Sequence, residues 1–287
     1  MRLANVAGRL VTQENGRLVD VATASAGRFG PDPQSVYARW AEFTDWARQR
    51  PAPGPILHTP VACGPPVPRP PQSIGIGVNY ADHAGEAGFD LPERPVVFPK
   101  FSSCIAGDSD VLTLPSAAID WEVELVVVIG RTAVDVPEAD AWHYVAGLTI
   151  GQDISDRALQ FADAPPAQFG MGKSLRGFGP IGPWLVTTDE LSDPDDLEIS
   201  CLLNGEVVQH SRTKHLIFDV SALVSYLSNH LRLEPGDVLF TGTPAGVGFS
   251  RTPAVYLKPG DQLVSRIEGL GELVTRIGGT AKTGNEA

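Results

Sequence analysis

The chain is poor in cysteine, short of basic charge and without a long apolar run. Its 287 residues include three cysteines, Cys63, Cys104 and Cys201, too few and too scattered for a disulfide framework or a zinc knuckle. That usage suits a reducing compartment, so a cytoplasmic setting is expected. Lysine and arginine number 22 against 34 aspartates and glutamates, a formal net charge of −12. Such a balance argues against a nucleic-acid groove or an anionic membrane surface as partner. The apolar runs are strand-sized, well below the ~20 consecutive residues of a membrane helix. The opening stretch MRLANVAGRLVTQENGRLVDVA is interrupted by Gln13, Glu14 and Asn15 and lacks the continuous apolar core of an export signal.

What is present reads as an ordinary globular protein, 43% hydrophobic and 20% charged, long enough for a large domain with a smaller one beside it. Two short strand patterns, RLANVAGRLV and RLVDVA, precede SVYARWAEFTDWARQ, where Val36, Trp40, Phe43 and Trp46 recur at helical intervals. From Pro51 to Pro71 the chain is dense in proline, which fixes its own backbone angle and donates no hydrogen bond, so a stiff extended connector is expected. The expected organisation is a small N-terminal α/β module with its connector over residues 1–71, a main domain over 72–279 and a flexible tail over 280–287. The second region is crowded with strand signals, among them IGIGV, PVVF, VLTL, VELVVVIG, GLTIGQDIS, GPWLVT, LEISCLLNG, DVLFTG and DQLVSRIEGLG. Its clearest helix follows Asp219, with Val220, Leu223, Val224, Leu227 and Leu231 on one face. Strands without regular helix alternation disfavour a doubly wound or barrel α/β fold and favour a β-rich, mixed α+β one.

The run IDWEVELVVVI over 119–129 poses an electrostatic problem. Side chains alternate along a strand, so Asp120, Glu122 and Glu124 would share a face. Either that face meets water, or the strand enters the interior and the carboxylates need a countercharge. Leu125 to Ile129 are apolar on both faces, which points inward, and a further aspartate, Asp153, ends the strand pattern GQDIS. Hard divalent cations prefer carboxylate oxygens; Glu122, Glu124 and Asp153 around one ion would resolve the repulsion.

Three other groups carry possible chemistry. In NYADHAGEAG, His83 and Glu86 lie three apart, the spacing of a capped surface turn and equally of a carboxylate-oriented general base on a short helix. Arg157 and Gln160 follow Asp153 at helical spacing, and Lys173 follows the glycines of FGMGKS. The stretch TGTPAGVG over 241–248 lacks the Gly-Lys-Ser/Thr ending of a phosphate loop; it could instead offer backbone amides and the Thr243 hydroxyl to a carboxylate.

Taken together and in order, GVNYADHAGE, DWEVELVVVIG, GQDISDRALQ, GMGKS with FGPIGPW, and LEPGDVLFTGTPAGVG make residues 73–279 resemble the fumarylacetoacetate hydrolase family. The resemblance implies a mixed β-roll catalytic domain, and the N-terminal part resembles the small module of longer bacterial members. It implies that Glu122, Glu124 and Asp153 hold a divalent cation, Mg²⁺ or Mn²⁺ with Ca²⁺ as a third choice. It implies that His83 and Glu86 activate water from a lid that orders with substrate, that Lys173 and Gln160 act in catalysis, and that Arg157, Thr243 and Tyr80 contact substrate. The implied reaction is cleavage of a carbon–carbon bond in a 2,4-dioxo acid of the acylpyruvate, fumarylpyruvate or fumarylacetoacetate type, with decarboxylation of a 3-oxo acid such as oxaloacetate, isomerisation of a dienol acid, or metal binding without turnover as alternatives. The implied partners are a small oxo acid and a second copy of the chain, with no nucleic acid and no membrane. One departure from the family pattern is Arg176, where many members carry aspartate after GKS. From the acidic row alone, chelation with EDTA is expected to abolish activity and Mg²⁺ or Mn²⁺ to restore it; an enzyme fully active when shown metal-free by elemental analysis would contradict this.

Overall fold

A computed structural model describes residues 1–14, 16–49, 56–57, 63–108, 110–162 and 167–280. Arg50, parts of the expected connector (51–55 and 58–62) and residues 281–287 of the expected tail lie outside the described residues. The architecture is the expected β-rich, mixed α+β one, organised as two large sheets around one acidic strand.

That strand is Val123–Ile129, and every residue in it is buried. Val123, Leu125, Val127 and Ile129 face one apolar cluster, with Trp121, Leu223 and Leu227. Val126 and Val128 face another, with Leu3, Trp40, Phe43 and Phe240. Covering both faces explains the unbroken apolar run, which an alternating half-exposed strand would not show. It pairs antiparallel with Val145–Gln152 on one side and Val238–Phe240 on the other. Val238–Phe240 in turn runs parallel to Ser73–Gly77, whose outer neighbour is the edge strand Val96–Pro99.

The N-terminal strands continue this same sheet. Arg2–Val6 pairs antiparallel with Gly179–Val186 in the register Arg2↔Val186, and Arg9–Glu14 and Arg17–Asp20 follow outward. The helical stretch expected over 35–49 is a 3₁₀ segment, Pro33–Arg39, running into the α-helix Trp40–Gln49. Trp40 and Phe43 close the outer apolar cluster. The proline-rich connector departs from expectation: Ile56–Leu57 pairs with Arg17–Asp20, and Cys63–Gly64 pairs with Arg2–Val6.

The second sheet, in the order Glu206–Arg212, Glu198–Leu203, Gln262–Ile267, Gly271–Thr280 and Val111–Leu114, packs on the inner cluster. The helix after Asp219 spans Val220–Ser228, capped by the Asp219 carboxylate on the Ala222 amide. It ends before Leu231, which is exposed rather than on the buried face.

The acidic row is not one continuous strand. Ile119–Asp120 pairs with Ser155–Asp156, Trp121 and Glu122 leave the ladder, and pairing resumes at Val123. Side-chain amides fill the gap. Gln152 Oε1 accepts from the Glu122 amide at 2.9 Å and Gln209 Oε1 from the Val123 amide at 3.0 Å. Gln209 also donates to Thr243 Oγ1 and to the Pro244 carbonyl, each at 2.8 Å. Gln209→Leu would leave these buried groups unpaired, and each such group costs about 1–3 kcal/mol. The variant is therefore expected to lower the urea midpoint by at least the equivalent of one such loss with an unchanged m-value; wild-type stability would show that the break is held by other contacts.

Candidate metal centre and active site

Four buried carboxylates meet at the strand break, and three buried cations answer them. Asp120 accepts from Arg157 Nε at 3.0 Å and Nη2 at 2.8 Å, and from the amides of Gly248 and Phe249. Glu122 takes Arg157 Nη2 on Oε1 and Lys173 Nζ on Oε2, both at 2.6 Å. Asp153 takes Lys100 Nζ on Oδ1. Its Oδ2 lies 3.1 Å from Lys173 Nζ yet outside hydrogen-bonding geometry. Glu124 receives only the Gly242 amide, at 2.8 Å on Oε2, among the described residues.

The electrostatics follow this partition. Burial pushes the Glu122 carboxyl up, but Lys173 and Arg157 outweigh it and hold it down at about 2. Glu124 goes the other way, raised well above the ordinary range by burial, then by Asp153 and Glu122. Among the described residues, one carboxylate thus remains without a cation, beside an aspartate oxygen without a hydrogen bond. Ligand atoms of Glu122, Glu124 and Asp153 lie within 4.8 Å of one another. An all-oxygen donor set with one uncompensated charge fits a hard divalent cation. The countercharge expected to come from metal alone is largely protein: Glu122 and Asp153 already have ammonium or guanidinium partners.

Lys100 is the residue that sequence reasoning missed. It is 2% exposed, and besides Asp153 it donates to the carbonyls of Lys173 and Phe178. Its one signal was position, a lysine in PVVFPKF directly after a strand pattern entering the core.

His83 and Glu86 lie one turn apart on the helix Ala81–Ala87, which ends at Gly88 in the left-handed conformation, φ 72°. His83 Nδ1 is 2.9 Å from Glu86 Oε1, and the Glu86 carboxylate also accepts the Gly246 amide. Burial would raise the Glu86 carboxyl, but the His83 and Gly246 hydrogen bonds prevail and hold it below its ordinary value. With Nδ1 committed to Glu86, Nε2 is the nitrogen left to exchange a proton.

The glycine-rich turn over 241–248 does bind carboxylates through its amides, but they are the protein's own. Gly242, Gly246 and Gly248 serve Glu124, Glu86 and Asp120 respectively. Gly246 has φ +108°, and a Cβ there would stand 2.0 Å from the Val208 carbonyl oxygen, so no other residue fits. The Thr243 hydroxyl, expected to face a ligand, donates to the Val123 carbonyl at 2.9 Å.

His83, Glu122, Glu124, Arg157, Gln160, Lys173 and Thr243 line one cavity. Asp153 is fully buried, as is Tyr80, which does not reach the cavity wall; its hydroxyl has no hydrogen-bond partner among the described residues, and burial raises its pKa. Glu86 stands behind His83. Gln160 Oε1 accepts from Arg157 Nη1 at 2.9 Å, which turns its amide NH₂ into the available donor. Arg176, expected near the site, is exposed and lines a separate cleft with Asp110, Thr113 and Leu175. The rest of the cavity wall is apolar, with Phe89, Phe98, Phe161, Phe169 and Phe249 prominent.

Comparison with known proteins matches residues 72–278 to the family described as fumarylacetoacetate (FAA) hydrolase, C-terminal. The rat protein named oxaloacetate tautomerase Fahd2a, mitochondrial, is 44% identical over 214 residues, 74% of this chain and 68% of that protein. Among solved structures, an HpcE candidate from Mycobacterium smegmatis is 50% identical with a TM-score of 0.94, covering 98% of this chain and 100% of that one. Maleylpyruvate hydrolase from Sphingobium sp. SYK-6, solved with manganese(II) and pyruvate, has a TM-score of 0.80 at 26% identity over 98% of this chain and 100% of that one.

Removing one partner of a buried ion pair typically costs about 3–5 kcal/mol, because the other charge is left unpaired. Lys100→Met is therefore expected to lower the melting temperature sharply, and saturating Mn²⁺ should recover part of the loss by binding the folded state alone. Calorimetry with and without Mn²⁺ reads both effects. A variant as stable as wild type would deny Lys100 its place in the charge balance.

Proposed function

The chain belongs to the fumarylacetoacetate hydrolase family, and from that premise we propose that it is a divalent-cation-dependent enzyme hydrolysing a carbon–carbon bond of a 2,4-dioxo acid. The observation that carries the reading is the His83–Glu86 pair, fixed by the Gly246 amide at the same cavity as the acidic cluster. An orientated imidazole is what water attack requires and what simple loss of CO₂ does not. Glu122, Glu124 and Asp153 would hold Mg²⁺ or Mn²⁺, which when bound supplies a Lewis acid for the 2-oxo-acid oxygens and for developing enolate charge.

The chain's own residues account for the proton and charge movements. His83 Nε2 takes a proton from water as the oxygen adds to the distal carbonyl carbon, and Glu86 stabilises the imidazolium. The oxygen of that carbonyl gains negative charge and takes a hydrogen bond from the Gln160 amide. The bond between the carbonyl carbon and the neighbouring methylene then breaks, leaving a carboxylic acid and the enolate of a 2-oxo acid, whose carbon finally takes the proton. The Lys173 ammonium, fixed on Glu122 and Ser155, lowers the energy of that enolate. Arg157 acts mainly by holding Asp120, Glu122 and Gln160 in place.

Proton transfer at the same carbon without water attack would be a keto–enol tautomerisation, and the rat relative's name favours this as the second reading. A homodimer in the cytoplasm completes the proposal; light scattering tests the first part.

A positioned general base contributes typically 10²–10⁴-fold. His83→Ala is expected to lose acylpyruvate hydrolysis on that order, followed as release of the 2-oxo acid, while oxaloacetate decarboxylation falls much less. Lys173→Ala should weaken both reactions together. Undiminished hydrolysis by a folded, metal-binding His83→Ala protein would remove the base from this segment.

A further inference from the structure

The cavity has two chemically distinct halves. Its floor carries the carboxylates and cations already described, and its wall is a collar of phenylalanines. Phe98 and Phe169 meet edge to face with centroids 5.9 Å apart, Phe169 and Phe161 likewise at 6.4 Å, and Phe161 and Phe249 at 6.0 Å. Phe89 comes from beyond the Ala81–Ala87 helix. Phe89 and Phe161 are 42% and 41% exposed, which places them at the mouth, with Phe98 at depth.

The cations decide what this collar can receive. Besides His83, which Glu86 holds, two basic side chains line the cavity among the described residues, Arg157 and Lys173. Arg157 is committed to Asp120, Glu122 and Gln160, and it also lies 4.3 Å from the Phe249 centroid. Lys173 is committed to Glu122 and Ser155, 5.6 Å from the Phe98 centroid. Neither has charge to spare for a second ligand carboxylate. A carboxylate at the far end of a substrate would lose water against phenyl rings and gain no ion pair, which is costly. A hydrocarbon tail in the same place gains apolar contact and ring stacking.

We propose that the substrate's acyl group is an uncharged hydrocarbon, aromatic or aliphatic, and that an acyl group ending in a further carboxylate is rejected; oxaloacetate, whose second carboxylate stands at the place of the distal carbonyl, does not reach the collar. This rests on the 2,4-dioxo-acid reading for the reacting end and adds the chemistry of the other end. Specificity then comes from the absence of a partner for the wrong charge as much as from contact with the right tail.

A nitro group and a carboxylate have nearly the same shape but differ in charge and in electron withdrawal. The enzymatic rates for 4-nitrobenzoylpyruvate and 4-carboxybenzoylpyruvate are therefore each divided by that compound's own hydroxide-driven cleavage rate, which leaves the effect of charge in the site. With the Mn²⁺-loaded protein, kcat/KM is expected to favour the nitro compound on the order of 10²-fold. Phe161→Lys, at the mouth where its ammonium can stay hydrated, should shrink that ratio at least about tenfold. Equal rates for the two compounds, or a preference for the carboxylate, would overturn the proposal, as would a ratio unmoved by Phe161→Lys. If neither compound is cleaved, the hydrolytic reading fails by itself. Calorimetric binding of the same pair then decides the question of the tail, tighter binding of the nitro compound supporting it and equal affinities refuting it.

Discussion

Burying Asp120, Glu122, Glu124 and Asp153 together is the constraint on which the site depends. Each is 5% exposed or less, and unpaired they would unfold the chain or take up protons. Arg157, Lys173 and Lys100 each sit against one or two of them, which leaves Glu124 as the carboxylate short of a cation. Among the described residues the cluster is therefore one positive partner short, at a place built wholly of oxygen ligands. A site fully neutralised by side chains would have little affinity for metal, and one with no cations would not fold around it. The arrangement lies between these limits.

The backbone supplies the remaining countercharge. The turn over 241–248 gives amides to three carboxylates from three different segments. Its glycines are required because the carbonyls of Val208 and Val255 pass within 2.0 Å of where a Cβ would stand at Gly246 and Gly248. One tight turn thereby registers the proposed general base against the acidic strand. The geometry of the His83–Glu86 pair is a property of this turn as much as of its own helix.

Around the charged floor, the phenylalanine collar supplies low polarity, which strengthens every electrostatic interaction inside it. Its rings pack on the same Arg157 and Lys173 that hold the acidic residues. The collar and the ion network are therefore mechanically coupled, and a change in one wall is felt by the floor.

Much of this was legible in the sequence, and the limits have physical causes. A run that is apolar on both faces yet seeded with carboxylates has few solutions, so Glu122, Glu124 and Asp153 could be grouped, and three-residue spacing brought His83 to Glu86. The β-rich, mixed α+β class followed from strand signals without alternating helices. What one dimension cannot encode is which distant groups share a volume. Lys100 finds Asp153 53 residues away, and the N-terminal strands join the sheet of the main unit through Gly179–Val186. The break at Trp121–Glu122 is held by glutamines from two other strands, and the Thr243 hydroxyl turns inward to a carbonyl 120 residues away in sequence. Residue type and local period determine which groups need a partner and how each element starts and ends. Only the packed structure decides which partner arrives, because burial makes pairing obligatory without specifying where along the chain the partner must come from.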